Sequence, residues 1–319
     1  MLLDKRLSYK PFEYQWAYDY WYKQNAAHWM RTEVDMSKDL KDWKEKLTIE
    51  EKEVVGGILK SFAQTETFVE DYWSSKVGKW FPKSEIKNMA HCFANMESIH
   101  ADSYIFLNET LGLTDFDSFL NDESVMAKLD EIIEILDSNK QDIKSIAKSL
   151  VVFSVCTEGI NLFSSFMILL SFKRKNKLQG VGQIVEFSCK DEDLHSEAGC
   201  RLFNELIKEY PHIWTDELKG EIYTAVELAI KNEFHYINQI FGNRQLETIS
   251  KDEVKNYMFY RANKKLKEIG LKEKYLVDNQ LLEQTSWFEA FTKGSQRTDF
   301  FAQQETNYSK PKDDWSLLL

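Results

Sequence analysis

The sequence predicts an all-α protein with a four-helix-bundle core and additional helices around it. Three observations carry that expectation. The 319 residues include only 12 glycines and 4 prolines, so long helices meet few breaks. No stretch alternates apolar and polar residues as a half-buried strand does. Two strings, Glu97-Ser98-Ile99-His100 and Glu192-Asp193-Leu194-His195, place Glu and His three residues apart inside helical patterns. With about 3.6 residues per turn, each pair shares one face of its helix.

The helices can be read in chain order. Residues 12–30 are aromatic-rich and helical in pattern, and Ser37-Lys38-Asp39-Leu40 reads as a turn and cap leading into Trp43. Thr48 with Glu51 three residues later has the form of a capping box, opening a helix through Phe62, Phe68 and Tyr72. A further helix spans about 83–111, a turn follows at Gly112–Asp117, and charged helical stretches run to about 147. An apolar helix covers about 145–173. Gly180-Val181-Gly182 opens the next, over about 181–208, and amphipathic helices follow at about 214–242 and 250–268. The remainder is less periodic. The expected organisation is one helical domain, 1–302, and a flexible polar tail, 303–319.

Composition excludes several classes. A 43% hydrophobic and 14% aromatic chain supplies a sizeable core. The net charge of −11 argues against nucleic acid as a ligand, because phosphate binding wants a basic face. It lends no support to a basic helix lying on a membrane. The stretch from Leu150 to Phe172 is long enough to span a bilayer, but Glu158 and Asn161 sit in its middle, so a buried helix is expected. Cys92, Cys156, Cys189 and Cys200 form no CxxC pair, and MLLDKRLSYK has no apolar signal-peptide core. A reduced, cytoplasmic chain is the expectation.

The two Glu-x-x-His strings gain weight from two lone glutamates. Glu66 precedes Glu97 by 31 residues and Glu158 precedes Glu192 by 34, each interval suiting one helix, a turn and part of the next helix. A Glu from each of two helices plus Glu-x-x-His from each of two others is the ligand set of a dimetal carboxylate bundle. Oxygen ligands with some imidazole suit iron or manganese. Four carboxylates balance the charge of two divalent ions, which makes burial tolerable. Glu158 lies within VVFSVCTEGINLFSSF, where an unpaired charge is strongly disfavoured. The plain alternative is an ion pair with Lys or Arg. Asp191 is placed to orient His100, or is simply part of an acidic helix face. Tyr104, four residues after His100, shares the face of Glu97 and His100, while His28, His91, His212 and His235 lack such context.

Together these residues resemble the radical-generating small subunit of class I ribonucleotide reductase, over most of the chain from about Trp29 onward. The resemblance rests on His28-Trp29, Glu33-Val34-Asp35-Met36-Ser37 with Asp39, Met96-Glu97-Ser98-Ile99-His100-Ala101-Asp102-Ser103-Tyr104, Cys156-Thr157-Glu158-Gly159-Ile160 and Asp191-Glu192-Asp193-Leu194-His195. It implies a ferritin-like subunit, usually a homodimer, with metal ligands Glu66, Glu97, His100, Glu158, Glu192 and His195. An oxygen-derived oxidant at the metals would oxidise Tyr104 to a stable radical. Trp29, Asp191 and Tyr308 match the family's relay to a separate large subunit, where ribonucleotides are reduced to deoxyribonucleotides. Trp315, Leu317, Leu318 and Leu319 suit the family's C-terminal docking segment: apolar anchors on a flexible acidic strand.

One position departs from the pattern. Most of the family has Asp where this chain has Glu66, and a Glu there is associated with a Mn/Fe branch that usually replaces the radical tyrosine by Phe. This chain carries both the Glu and the Tyr. Two metal ions per chain are expected, Fe/Fe first, with Mn/Fe or Mn/Mn as alternatives and a flavoprotein activator if manganese is used. The rival readings are a Mn/Fe subunit whose metal pair stores the oxidant, a stand-alone diiron oxidase, and an iron store or plain helical scaffold.

Overall fold

The computed structural model describes residues 1–115, 123–138 and 142–293, and among them every regular element is helical. In order these are α1 (Gln15–Ala26), α2 (Ser37–Glu45), α3 (Ile49–Asp71), α4 (Gly78–Trp80), α5 (Ser84–Leu111), α6 (Glu123–Asp137) and α7 (Ile143–Leu150). They continue with α8 (Leu162–Arg174), α9 (Gln179–Glu209), α10 (Asp216–Phe241), α11 (Lys251–Glu268), α12 (Asn279–Gln284) and α13 (Ser286–Lys293). Two wide π-helical turns interrupt this pattern, Tyr72–Val77 between α3 and α4 and Val151–Asn161 between α7 and α8. Sequence periodicity located the helices up to α11, but not these turns, nor α12 and α13 in the less periodic stretch after residue 268. Tyr308, Trp315 and Leu317 to Leu319 lie outside the described residues.

Local signals set the helix ends. Glu51 N donates to Thr48 Oγ1 at 3.2 Å and Thr48 N donates to the Glu51 carboxylate at 3.0 Å, the reciprocal cap expected for α3. Gly112, at φ +76°, closes α5 in a left-handed conformation that glycine adopts without steric penalty. Residues 37–40 are not a turn: they form the start of α2. Asp39 does cap a helix, but a distant one. Its carboxylate accepts from Gly180 N at 2.9 Å and Val181 N at 2.8 Å, at the start of α9. A Cβ on Gly180 would lie 2.6 Å from Met36 Sδ, so glycine lets this crossing close.

The continuous run from Ile143 to Arg174 is long and apolar enough to cross a membrane by length and composition, and its most apolar window is wholly buried in the bundle. Every residue from Val151 to Phe172 is buried. This helix, α3, α5 and α9 form the core layer. Phe62 of α3 packs against Tyr104 of α5 and Phe166 of α8, with ring centroids 4.7 and 5.1 Å away. Each such buried ring contributes about 1.5–3 kcal/mol by removal from water. α9 approaches the second wide turn so closely that a Cβ on Gly199 would sit 1.8 Å from Ser154 Oγ.

Because Asp39 satisfies two amides at the start of α9, Asp39→Ala is expected to lower stability by about 1–3 kcal/mol. Urea denaturation should show a lower midpoint at unchanged slope. An unchanged midpoint would remove this cap from the account of how α9 is held.

Candidate metal centre

The four core elements each deliver part of one cluster. α3 brings Glu66, α5 brings Glu97 and His100, the second wide turn brings Glu158, and α9 brings Glu192 and His195. All six are fully buried. Their ligand atoms fall into two sets, each with mutual distances within 4.8 Å: Glu66, Glu97, His100 and Glu192 in one, and Glu97, Glu158, Glu192 and His195 in the other. Glu97 and Glu192 belong to both sets. Glu70, one turn beyond Glu66 on α3, is only half-buried and joins neither set.

The histidines point consistently. His100 turns Nδ1 inward, 3.1 Å from Glu97 Oε2 and 3.0 Å from Glu192 Oε1. His195 Nδ1 lies 2.6 Å from Glu97 Oε1, without hydrogen-bond geometry. Their Nε2 atoms face outward, His100 to Asp191 Oδ2 and His195 to Gln24 Oε1, both at 3.1 Å. Trp29 Nε1 donates to Asp191 Oδ2 and Gln24 Nε2 donates to Asp191 Oδ1, each at 2.8 Å. An ionised carboxylate only accepts, so Gln24 turns its amide NH₂ to Asp191 and its oxygen to His195. Both rings are thereby anchored through Nε2, and Nδ1 is the nitrogen turned toward the cluster, free to meet a cation once any proton on it is released. The Trp29 ring also stacks on His100 at 5.7 Å. The Asp191 alternatives left open by sequence resolve toward orientation of His100.

Sequence reasoning missed three supporting residues. Gln24 gave no signal, because nothing in the α1 pattern marks it as buried beneath His195. Trp73 donates from Nε1 to Glu158 Oε1 at 2.6 Å, where a Lys or Arg had been the alternative partner. It follows Glu66 by seven residues, so helical phase could have found it. Buried Arg261 of α11 donates Nε to Gly159 O and Nη1 to Asp193 Oδ1, both at 3.0 Å, tying the second wide turn to α9.

The chemistry of the cluster calls for cations. Six carboxylate oxygens (both of Glu66, both of Glu192, Glu97 Oε1 and Glu158 Oε2) are buried without a hydrogen-bond partner. Such atoms cost about 1–3 kcal/mol each when unsatisfied, more when charged. Burial, then the charges of Glu192 and Glu97, push Glu66 well above the ordinary carboxylate range, and burial with the same neighbours raises Glu158. Burial and Glu97 push Glu192 up to about 7. Glu97 alone goes down, to about 2, because the two histidines outweigh its burial. For His100, burial opposes the charge, but the surrounding carboxylates of Glu97, Asp191 and Glu192 hold its pKa well above the ordinary value. Two divalent ions would replace the held protons and complete every orphaned oxygen, so the residues fit a dimetal centre.

Tyr104 lies beside this cluster. Its ring is fully buried and its hydroxyl has no hydrogen-bond partner. Burial, then the nearby charge of Glu66, drives its pKa well above the ordinary value, keeping the phenol protonated.

Fold and cluster together define a class, a helical-bundle protein that holds two metal ions between carboxylates and imidazoles. Residues 6–281 match the family model described as ribonucleotide reductase, small chain. The chain therefore belongs to the ribonucleotide reductase small-chain family. It is similar to a probable ribonucleoside-diphosphate reductase small subunit of Invertebrate iridescent virus 3, 29% identical over 98% of this chain and 88% of that protein. It is also similar to the ribonucleoside-diphosphate reductase subunit beta of Chlamydia pneumoniae, 28% identical over 93% of this chain and 88% of that one. The fold matches a putative class I ribonucleotide reductase of Bacillus halodurans with TM-score 0.79 at 23% identity, covering 87% of this chain and 99% of that one. It equally matches the dimanganese(II)-NrdF of Streptococcus sanguinis, with TM-score 0.79 at 23% identity over 89% of this chain and 98% of that one.

Proton linkage gives a test of the centre. Glu192 keeps its proton in the metal-free fold up to about 7 against an ordinary 4.5. Glu66, Glu158 and His100 are shifted in the same direction. The unfolded chain then binds fewer protons than the native one, so stability falls as pH rises. The Tm of metal-free protein is expected to drop between about pH 5 and about pH 8. Loading with Fe(II) or Mn(II) should release protons into weak buffer and flatten that slope. Metal uptake without proton release would contradict the protonation described.

Proposed function

We propose that this chain is the radical-generating small subunit of a class I ribonucleotide reductase, with Tyr104 as the site of the radical. Family membership supplies the subunit identity, and with it an oxidoreductase whose activity requires a large subunit. The observation that carries the Tyr104 assignment is its fully buried, unpartnered hydroxyl beside the Glu66 half of the cluster. Bound metal ions would supply the one-electron oxidising power that the side chains lack. Glu66, Glu97, His100, Glu158, Glu192 and His195 would hold the two ions.

The chain's own residues have separable tasks in this reading. Asp191 and Gln24 fix which nitrogen each histidine offers. Phe62 and Phe166 line an apolar surround for Tyr104 that excludes water and reductants. Trp29 donates to Asp191, and Asp191 in turn is hydrogen-bonded to His100, a continuous connection leading away from the cluster that supports their relay role. Tyr308 would continue the relay, and Trp315, Leu317, Leu318 and Leu319 would anchor the tail in the large subunit. The working unit is proposed to be a cytoplasmic homodimer.

Fe/Fe is the proposed pair. Mn/Fe is the second reading, favoured by Glu66, whose longer arm leaves both oxygens unpartnered. A manganese form would call on a flavoprotein activator. Protein loaded with iron alone, manganese alone or both, then exposed to oxygen, separates these by metal analysis and EPR. A stand-alone oxidase would turn over its own substrate without a large subunit, whereas the proposed subunit supports ribonucleotide reduction only when one is added.

In the iron-loaded form, Tyr104→Phe is expected to abolish the tyrosyl EPR signal and its sharp absorption while leaving two metals bound. Activity with the large subunit should fall to background. A signal that survives the substitution places the radical elsewhere.

A further inference from the structure

The two lone glutamates of the cluster are held differently. Both oxygens of Glu66 are buried with no hydrogen-bond partner. Glu158 has one free oxygen, Oε2, because Oε1 accepts from Trp73 Nε1 at 2.6 Å. We propose that Trp73 is a positioning residue that restricts Glu158 to a single free oxygen at the second metal position; the inference rests on the dimetal reading above.

Three features support it. An indole N–H only donates, so Trp73 cannot become a ligand and can only occupy a carboxylate oxygen. The ring is fully buried and fixed on several sides: edge-on to Phe93 at 5.0 Å and 85°, near His195 at 6.3 Å, and 3.7 Å from where a Cβ on Gly199 would lie. Trp73 also belongs to the first wide turn, whose other aromatic residue, Tyr72, stacks on Phe153 of the second at 3.5 Å and 3°. The brace and the carboxylate it holds therefore sit on two turns clamped face to face, with Trp73 and Tyr72 themselves 5.8 Å apart.

α3 and the wide turn that continues it thus serve both halves of the centre. Glu66 offers its carboxylate to one ion, and Trp73, two helical turns later on the same face, constrains the ligand of the other. The geometry makes the Glu66 side adaptable and the Glu158 side fixed.

The test is an equilibrium titration of the full-length metal-free protein with Mn(II), free ion being read by EPR. Wild type should take two ions per chain. Trp73→Phe should bind the first ion normally and the second about 10–100-fold more weakly, with an altered EPR line shape for the loaded pair. Replacing Trp73 by benzothienylalanine keeps the ring and substitutes sulfur for N–H, so it should give the same loss at unchanged helix content. That variant decides the matter if the Phe variant does not fold. Second-ion affinity equal to or above wild type, with an unchanged line shape, overturns the proposal. Failure of wild type to take two ions refutes the dimetal reading instead.

Discussion

Four carboxylates buried together at the centre of an apolar bundle set the conditions for the rest of the structure. Moving one such charge out of water costs several kcal/mol even after relaxation. Here Glu66, Glu97, Glu158 and Glu192 converge around two histidines. Without metal the fold relieves the repulsion by holding protons. With two divalent ions the same charges balance, and the unpartnered oxygens become ligands.

That constraint accounts for features far from the cluster. A carboxylate that must stay in place needs its helix fixed along its length. α9, which carries Asp191, Glu192 and His195, is capped by Asp39 at its start and tied to the second wide turn by Arg261 through Asp193 and Gly159. Burial opposes the ionisation of Asp193, yet Arg261 and Lys265 hold its carboxyl well below the ordinary range, so the tie is a charged one. Gln24 links His195 to Asp191 and so to His100, joining the two halves of the centre outside the ligand sets.

The helices and the residues of the cluster were largely legible in the sequence, for a physical reason. Helical phase converts spacing into direction, so Glu97 with His100 and Glu192 with His195 declared their shared faces, and Glu158 stood out as a charge in an apolar run. Thr48 and Glu51 announced the start of α3 through local hydrogen bonding alone. Residues 37–40 misled because an acidic side chain near a helix start normally caps that helix, whereas Asp39 reaches across to α9. The π-helical turns were invisible because a change of phase leaves no trace where every position is buried, as in Val151–Asn161, or where the segment is only six residues, as in Tyr72–Val77.

By itself the sequence determined the helical class and the six-residue cluster, since both follow from local phase and residue chemistry, and its motifs carried the likeness to a reductase small subunit. Only the tertiary structure decided which oxygens are free, which histidine nitrogen faces inward, and that Trp73 and Gln24 stand behind Glu158 and His195. Those facts depend on contacts between side chains distant in the chain. No local rule encodes such contacts, because they exist only once the helices have packed.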